Sequence, residues 1–273
     1  MERVINYKDY KIKENRYSKK EIYCSIAFKC LIMVVFMIGL IMDFTIIGSF
    51  SRGLTYFGTL ISLASLAIIF LFLILDVIRL YSLKDLRKTW LYIIKFSITV
   101  SSLFSMILVL ILIFPTLFSN YEFENFARFG NVFNYLLGPI LLSIDFVEFD
   151  YNYNSNRKHV YYGVIPFFVH YIIVLCLSLF TNYNWKSYCK GISSLKMPYS
   201  FYDYSLANNN WWSDELAKFS LKEGTIGVNQ SFLLFIFLVI LIIIGLFLLH
   251  LKNKKYIYLY KIPYTNNNFH QDI

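Results

Sequence analysis

Long apolar runs broken by short polar stretches recur six times along the chain. A helix that crosses a membrane needs about 20 mainly apolar residues, since each advances the chain about 1.5 Å through a hydrocarbon layer about 30 Å thick. Segments 22–42, 55–78, 90–118, 131–149, 160–180 and 232–251 meet that requirement. The pattern predicts an all-α polytopic membrane protein, a single bundle of six transmembrane helices spanning 22–251. A basic cytoplasmic tail, 1–21, precedes the bundle, and a second cytoplasmic tail, 252–273, follows it.

Basic residues set the orientation, because Lys and Arg near the ends of spans are retained on the cytoplasmic side. Seven lie before the first span, and four, counting Arg79, lie between spans two and three. Arg157 and Lys158 follow span four, and Lys252, Lys254, Lys255 and Lys261 follow span six. The opposite side carries Arg52, Arg128 and five lysines spread through the loop 181–230, and long loops weigh little in this rule. Both termini are therefore expected in the cytoplasm and the loop 181–230 outside. No cleavable signal peptide is expected, and the first span serves as the insertion signal.

Composition agrees with this class. The chain of 273 residues is 58% hydrophobic and 16% charged, where a soluble domain has about 25% charged residues. Its net charge of +9 comes largely from residues flanking the apolar runs, so no nucleic-acid partner is expected and membrane lipids are. Cys24, Cys30, Cys176 and Cys189 form neither a CxxC pair nor a His/Cys cluster of metal spacing. No metal and no cofactor are expected.

Three spans contain a proline, at Pro115, Pro139 and Pro166, and each removes a backbone hydrogen bond. The carbonyls so freed need partners within the protein. Small residues at Ser62, Ala64, Ser65 and Ala67 allow close approach of span two to a neighbour. In the outer loop, "NNNWWSDELAKFSLKEG" predicts a short interfacial helix, capped by Ser213, stopped by Gly224 and anchored by Trp211 and Trp212.

Ionisable residues inside spans are costly, and they are the default place to look for function. Lys29, Asp76, Lys95, Asp145 and Glu148 all fall in the cytoplasmic half, with Asp145 and Glu148 three residues apart on one helix face. Two cations and three anions at similar depth predict ion pairing between helices; a conduction or coupling role is the alternative. His170, mid-span in the fifth segment, is a candidate general base, and Thr59, in the outer half of the second, a candidate nucleophile. Ser62, Asn131 and Asn134 are candidate binding residues, the two asparagines as hydrogen-bond donors to an oxyanion.

"GPILLSIDF" in span four and "MPYSFYDY" after span five resemble segments of bacterial six-span membrane proteins related to the androgen-induced family. The matching positions are Pro139 and Asp145, Pro166, and then Pro198, Tyr199, Phe201 and Asp203, within a stretch from Tyr56 to Leu251. The androgen-induced proteins are threonine hydrolases of lipid esters, with a threonine in the second span and a histidine in the fourth. Here Gly58 stands where that threonine is expected, and Thr59 lies one place later, rotated about 100° around the helix. Tyr135 or Asn134 stands where the histidine is expected. The resemblance thus implies the scaffold without the family's catalytic positions. Three functional expectations follow: a non-catalytic protein of the cell membrane that binds lipid or acyl chains, a lipid-ester hydrolase using Thr59 and His170, or a small transporter or channel component.

Overall fold

A computed structural model describes residues 19–47, 55–82, 86–110, 132–150, 156–181, 185–186, 194–195 and 226–259. Among these residues six α-helices follow one another: α1 (Lys19–Ile47), α2 (Phe57–Ser82), α3 (Thr89–Leu108), α4 (Gly138–Phe149), α5 (Ile165–Phe180) and α6 (Ile226–Leu259). A π-helical turn, Phe133–Leu137, leads into α4, and a 3₁₀ segment, Arg157–Val164, leads into α5. The remaining regular structure among the described residues is a two-residue antiparallel pair, β1 (Trp185–Lys186) with β2 (Ser194–Leu195). Pro115, Asn131, residues 1–18 and 260–273 of the tails, and the expected helix after Ser213 lie outside the described residues, while α1 and α6 take in 19–21 and 252–259 of the expected tails.

Five of these segments are long and apolar enough to cross a membrane: Lys19–Thr45, Phe57–Ser82, Thr89–Leu108, Arg157–Phe180 and Leu234–Lys255. The chain is a multi-pass, all-α membrane protein. The expected fourth span is shorter and carries Asp145 and Glu148, and α4 is not one of the five.

Helix seams explain why these sequences pack. On α1, Ile22, Ser25, Lys29, Ile32, Phe36, Gly39 and Asp43 recur at alternating steps of three and four and are all buried. On α2, Gly58, Ser62, Ser65, Ile69, Phe72, Asp76 and Arg79 do the same. A 3-4 repeat keeps one stripe of a helix facing its neighbour. Large apolar residues face outward instead, among them Leu31, Val34, Ile38 and Ile41 on α1 and Ile165, Val169, Ile172 and Ile173 on α5. Polar seams inside and an apolar coat outside suit a hydrocarbon solvent.

Helix α3 is the centre, packed against α2, α4, the 3₁₀ segment, α5 and α6, while α1 packs on α2 and α4. Its apolar window is 67% buried, against 28–39% for the other four spans. Its Phe96 and Phe104 join Ile32, Phe36, Phe72 and Phe146 of the neighbouring helices in one core. Glycines set the closest approaches. A methyl group at Gly39 would overlap Asn134, one at Gly58 would overlap Tyr135, and one at Gly138 would lie 2.6 Å from Phe36 Cε1.

The two prolines within the described residues sit where the helix type changes. Pro166 has no N–H for the carbonyl of Tyr162, four residues back. That carbonyl accepts instead from Ile165 N–H, in 3₁₀ fashion, and from Ser97 Oγ on α3. Before Pro139, Gly138 N–H donates to Phe133 O, five residues back, which makes the π turn. At the start of the 3₁₀ segment Asn156 Oδ1 accepts from Lys158 N–H at 3.0 Å, and His159 Nδ1 accepts from Asn156 N–H at 3.2 Å.

Candidate functional site

Buried polar groups gather at both ends of the bundle. At the basic end six charged side chains from α1, α2, α3, α4 and the residues next to them form a closed ring of alternating sign. Asp76 pairs with Lys29 at 2.9 Å, and Lys29 with Asp145 at 3.1 Å. Asp145 pairs with Lys95, and Lys95 with Asp150. Asp150 meets Arg87 at 3.9 Å, and Arg87 returns to Asp76 at 3.3 Å. Each acid therefore touches two cations and each cation two acids, all with buried side chains.

Neighbours supply what the ring leaves open. Ser25 Oγ donates to Asp76 Oδ2 at 2.8 Å and accepts from Lys29 Nζ at 2.5 Å. Lys95 Nζ lies 4.4 Å from the centre of the Phe72 ring, and Lys29 Nζ 5.2 Å from that of Phe149. A cation over an aromatic face is attracted by the ring quadrupole, more so where water is excluded. Lys252 of α6 is fully buried as well.

Of the five charged residues singled out in the sequence, the structure brings Lys29, Asp76, Lys95 and Asp145 together. Glu148 stands apart: its side chain is 47% exposed and it pairs with Lys255 of α6. Arg87 and Asp150 complete the ring: Arg87 sits just before a span and carried no signal in the sequence, whereas Asp150 stands with Asp145 and Glu148 at the acidic end of the fourth apolar run.

Asp150 lies one residue past α4 and is fully buried. Burial is the strongest influence on its carboxyl and, with the neighbouring Asp145 adding to it, holds it above the ordinary carboxylate range against the pull of Lys95.

The other end has a different character. His170 Nε2–H donates to Thr55 O at 2.9 Å, and the imidazole packs 5.2 Å from the Phe57 ring. That bond leaves Nδ1 as the lone-pair nitrogen, and Nδ1 has no hydrogen-bond partner. Thr59 Oγ1 is buried and has no hydrogen-bond partner either, so the expected nucleophile and base are not joined. Ser62 is buried on the seam of α2. Asn134 does not stand free as an oxyanion donor: its Nδ2 donates to Asp43 Oδ2 at 2.6 Å, and both residues are buried. Asp43 closes the first apolar run, where an acid reads as the edge of a span, and its place on the buried α1 stripe with Lys29 is the signal that could have found it.

Between the two ends α4 presents Gly138, Pro139, Leu142 and Phe146 to the interior. Hydroxyls on the central helices bond within their own helix: Ser65 Oγ to Ile61 O at 2.7 Å and Thr99 Oγ1 to Lys95 O at 2.8 Å. Among the described residues no three His, Cys, Asp or Glu side chains converge as a metal site, and Cys24, Cys30 and Cys176 are free thiols.

Comparison of the chain with protein-family models, with curated proteins and with solved structures finds no match.

Proposed function

We propose that this is a non-catalytic six-span protein of the cell membrane that binds membrane lipid without hydrolysing it, with its basic end on the cytoplasmic side. Helix α4 counts as the sixth span in this reading, because it packs among the five longer helices and contributes Asp145 to the ring. The orientation follows from the basic residues at the ring end, which include Lys19, Lys20, Arg157, Lys158, Lys254 and Lys255. The scaffold is that of the resemblance, without its chemistry.

One observation carries the non-catalytic reading. A nucleophile needs a base within about 2.6–3.2 Å or one water away. His170 is committed through Nε2 to a backbone carbonyl, while Thr59 Oγ1 and His170 Nδ1 each lack a hydrogen-bond partner. The apolar coat of α1 and α5 is what an acyl chain would contact. The apolar interior face of α4 weighs against a polar path along that helix.

The test combines a serine/threonine-hydrolase activity probe with native mass spectrometry of the full chain released from phospholipid nanodiscs. Retained phospholipid without probe labelling is expected. Labelling that Thr59→Val abolishes would sink the non-catalytic reading, and release free of lipid would sink the lipid-binding part.

A further inference from the structure

We propose that Asp43 and Asn134 form a binding site for one monovalent cation, a proton or a sodium ion, at the end of the bundle opposite the charge ring. The inference goes beyond lipid contact and stands on different residues. Asp43 is 4% exposed and Asn134 is 1% exposed. Every acid of the ring touches two cations, yet Asp43 has no ion-pair partner among the described residues. Its polar side-chain contact among those residues is the neutral amide of Asn134. An ionised carboxylate in a dry interior is strongly unfavourable without a compensating charge, and one neutral amide does not supply it.

Asn134 is built to complete such a site. Its Oδ1 is buried and has no hydrogen-bond partner, and it belongs to the same planar amide whose Nδ2 touches Asp43. Gly39, one turn before Asp43 on the same stripe of α1, leaves room for that amide where a methyl group would strike it. The backbone that carries Asn134 is irregular. Gly138 N–H is taken by Phe133 O, and Pro139 has no N–H, so neither an α nor a π register gives Asn134 O a donor. Irregular helical backbone that leaves carbonyl oxygens free is how membrane proteins coordinate sodium ions.

The two cations would use the site differently. A proton on the Asp43 carboxyl removes the charge, and with the amide turned over, Asn134 Oδ1 accepts the new O–H. A sodium ion would lie between the carboxylate and Asn134 Oδ1 and retain water. Among the described residues the titratable groups at this end are Tyr56, just before α2, Tyr135 of the π turn, and His170 of α5, whose Nε2–H is committed to Thr55 O. Lys29, on the same stripe of α1, lies roughly 21 Å away along the helix.

Infrared titration of the full chain in nanodiscs, in sodium chloride and in choline chloride, tests the site. Wild type should show a protonated-carboxyl band on acidification that Asp43→Asn removes. A band that sodium suppresses assigns the site to both cations, and one indifferent to sodium assigns it to the proton alone. Asn134→Ala keeps the acid but loses its amide partner, so it should shift the band and remove any sodium effect. It also serves if Asp43→Asn does not fold. The proposal is overturned if the Asp43-dependent band appears only at the low pH where exposed carboxylates protonate, and sodium raises the melting temperature no more than choline does.

Discussion

Lys29 on α1 lies 3.1 Å from Asp145 on α4, and neither side chain has any exposed surface. That contact is one of six in a ring that balances three acids against three bases. Removing one member of a buried ion pair leaves the other uncompensated and destabilises by about 3–5 kcal/mol. Lys29→Met or Asp145→Leu alone should lose that much in thermal or denaturant unfolding. The double variant leaves Asp76, Arg87, Asp150 and Lys95 in balance, so it should be closer to wild type than either single change. Additive losses would mean that the two residues do not act as a pair.

Glu148 and Lys255 make the contrasting case. They also pair across helices, but their side chains are 47% and 23% exposed. Solvent screening holds such pairs to about 0–1 kcal/mol. Glu148→Gln should therefore leave the melting temperature nearly unchanged, and a loss as large as that of Asp145→Leu would place Glu148 in the ring after all.

How much of this could be read from the sequence depended on where each residue sits. The apolar runs locate the helices because hydrocarbon admits few alternatives, and an ionisable residue in mid-run, such as Lys29 or Lys95, is conspicuous. Asp150 stands in line with Asp145 and Glu148 at the acidic end of the fourth run, but Arg87 looks like an ordinary loop charge until the ends of the spans are brought together. Spacing of three placed Glu148 beside Asp145 on one face, yet the interior of the bundle is narrow enough to bury one and leave the other in contact with solvent. The π turn was foreshadowed by Pro139, but which carbonyl it would leave without a donor depends on the register the helix adopts.

Glycine positions test the packing between helices. A methyl group at Gly58 would overlap the Tyr135 ring, and one at Gly39 would overlap the Asn134 amide. Overpacking of this kind typically costs about 1–3 kcal/mol. At Gly245 the nearest atoms are Val160 Cγ1 at 3.2 Å and Phe96 Cζ at 3.4 Å, a much smaller intrusion. Gly58→Ala and Gly39→Ala should lower the melting temperature clearly, while Gly245→Ala should stay close to wild type. Equal effects at the three sites would contradict the close approach of the π turn to α1 and α2.

Asp150 gives the ring a pH dependence with a definite sign. Its folded carboxyl titrates above the ordinary value that it recovers on unfolding, with burial the main cause. Between those two values the folded protein holds more protons, so this group's contribution rises as pH falls through the folded value. It is complete below the unfolded value. Asp150→Asn should remove that increment, so the difference in stability between wild type and variant should grow in favour of wild type on acidification. A difference independent of pH would mean that Asp150 titrates alike in both states.

Thr59 separates packing from catalysis in a single substitution. Its hydroxyl is buried with no hydrogen-bond partner, so it carries a desolvation penalty that no bond offsets. Valine has nearly the same shape without the polar atom. If Thr59 is part of the helix seam, Thr59→Val should be neutral or stabilising by about 1 kcal/mol, with lipid retention unchanged. If Thr59 is a nucleophile, the same change should abolish lipid-ester turnover, whatever it does to stability. Melting curves and ester hydrolysis measured on one preparation decide the matter, because the two roles move different readouts. The unbonded hydroxyl and the commitment of His170 to Thr55 O favour the first outcome.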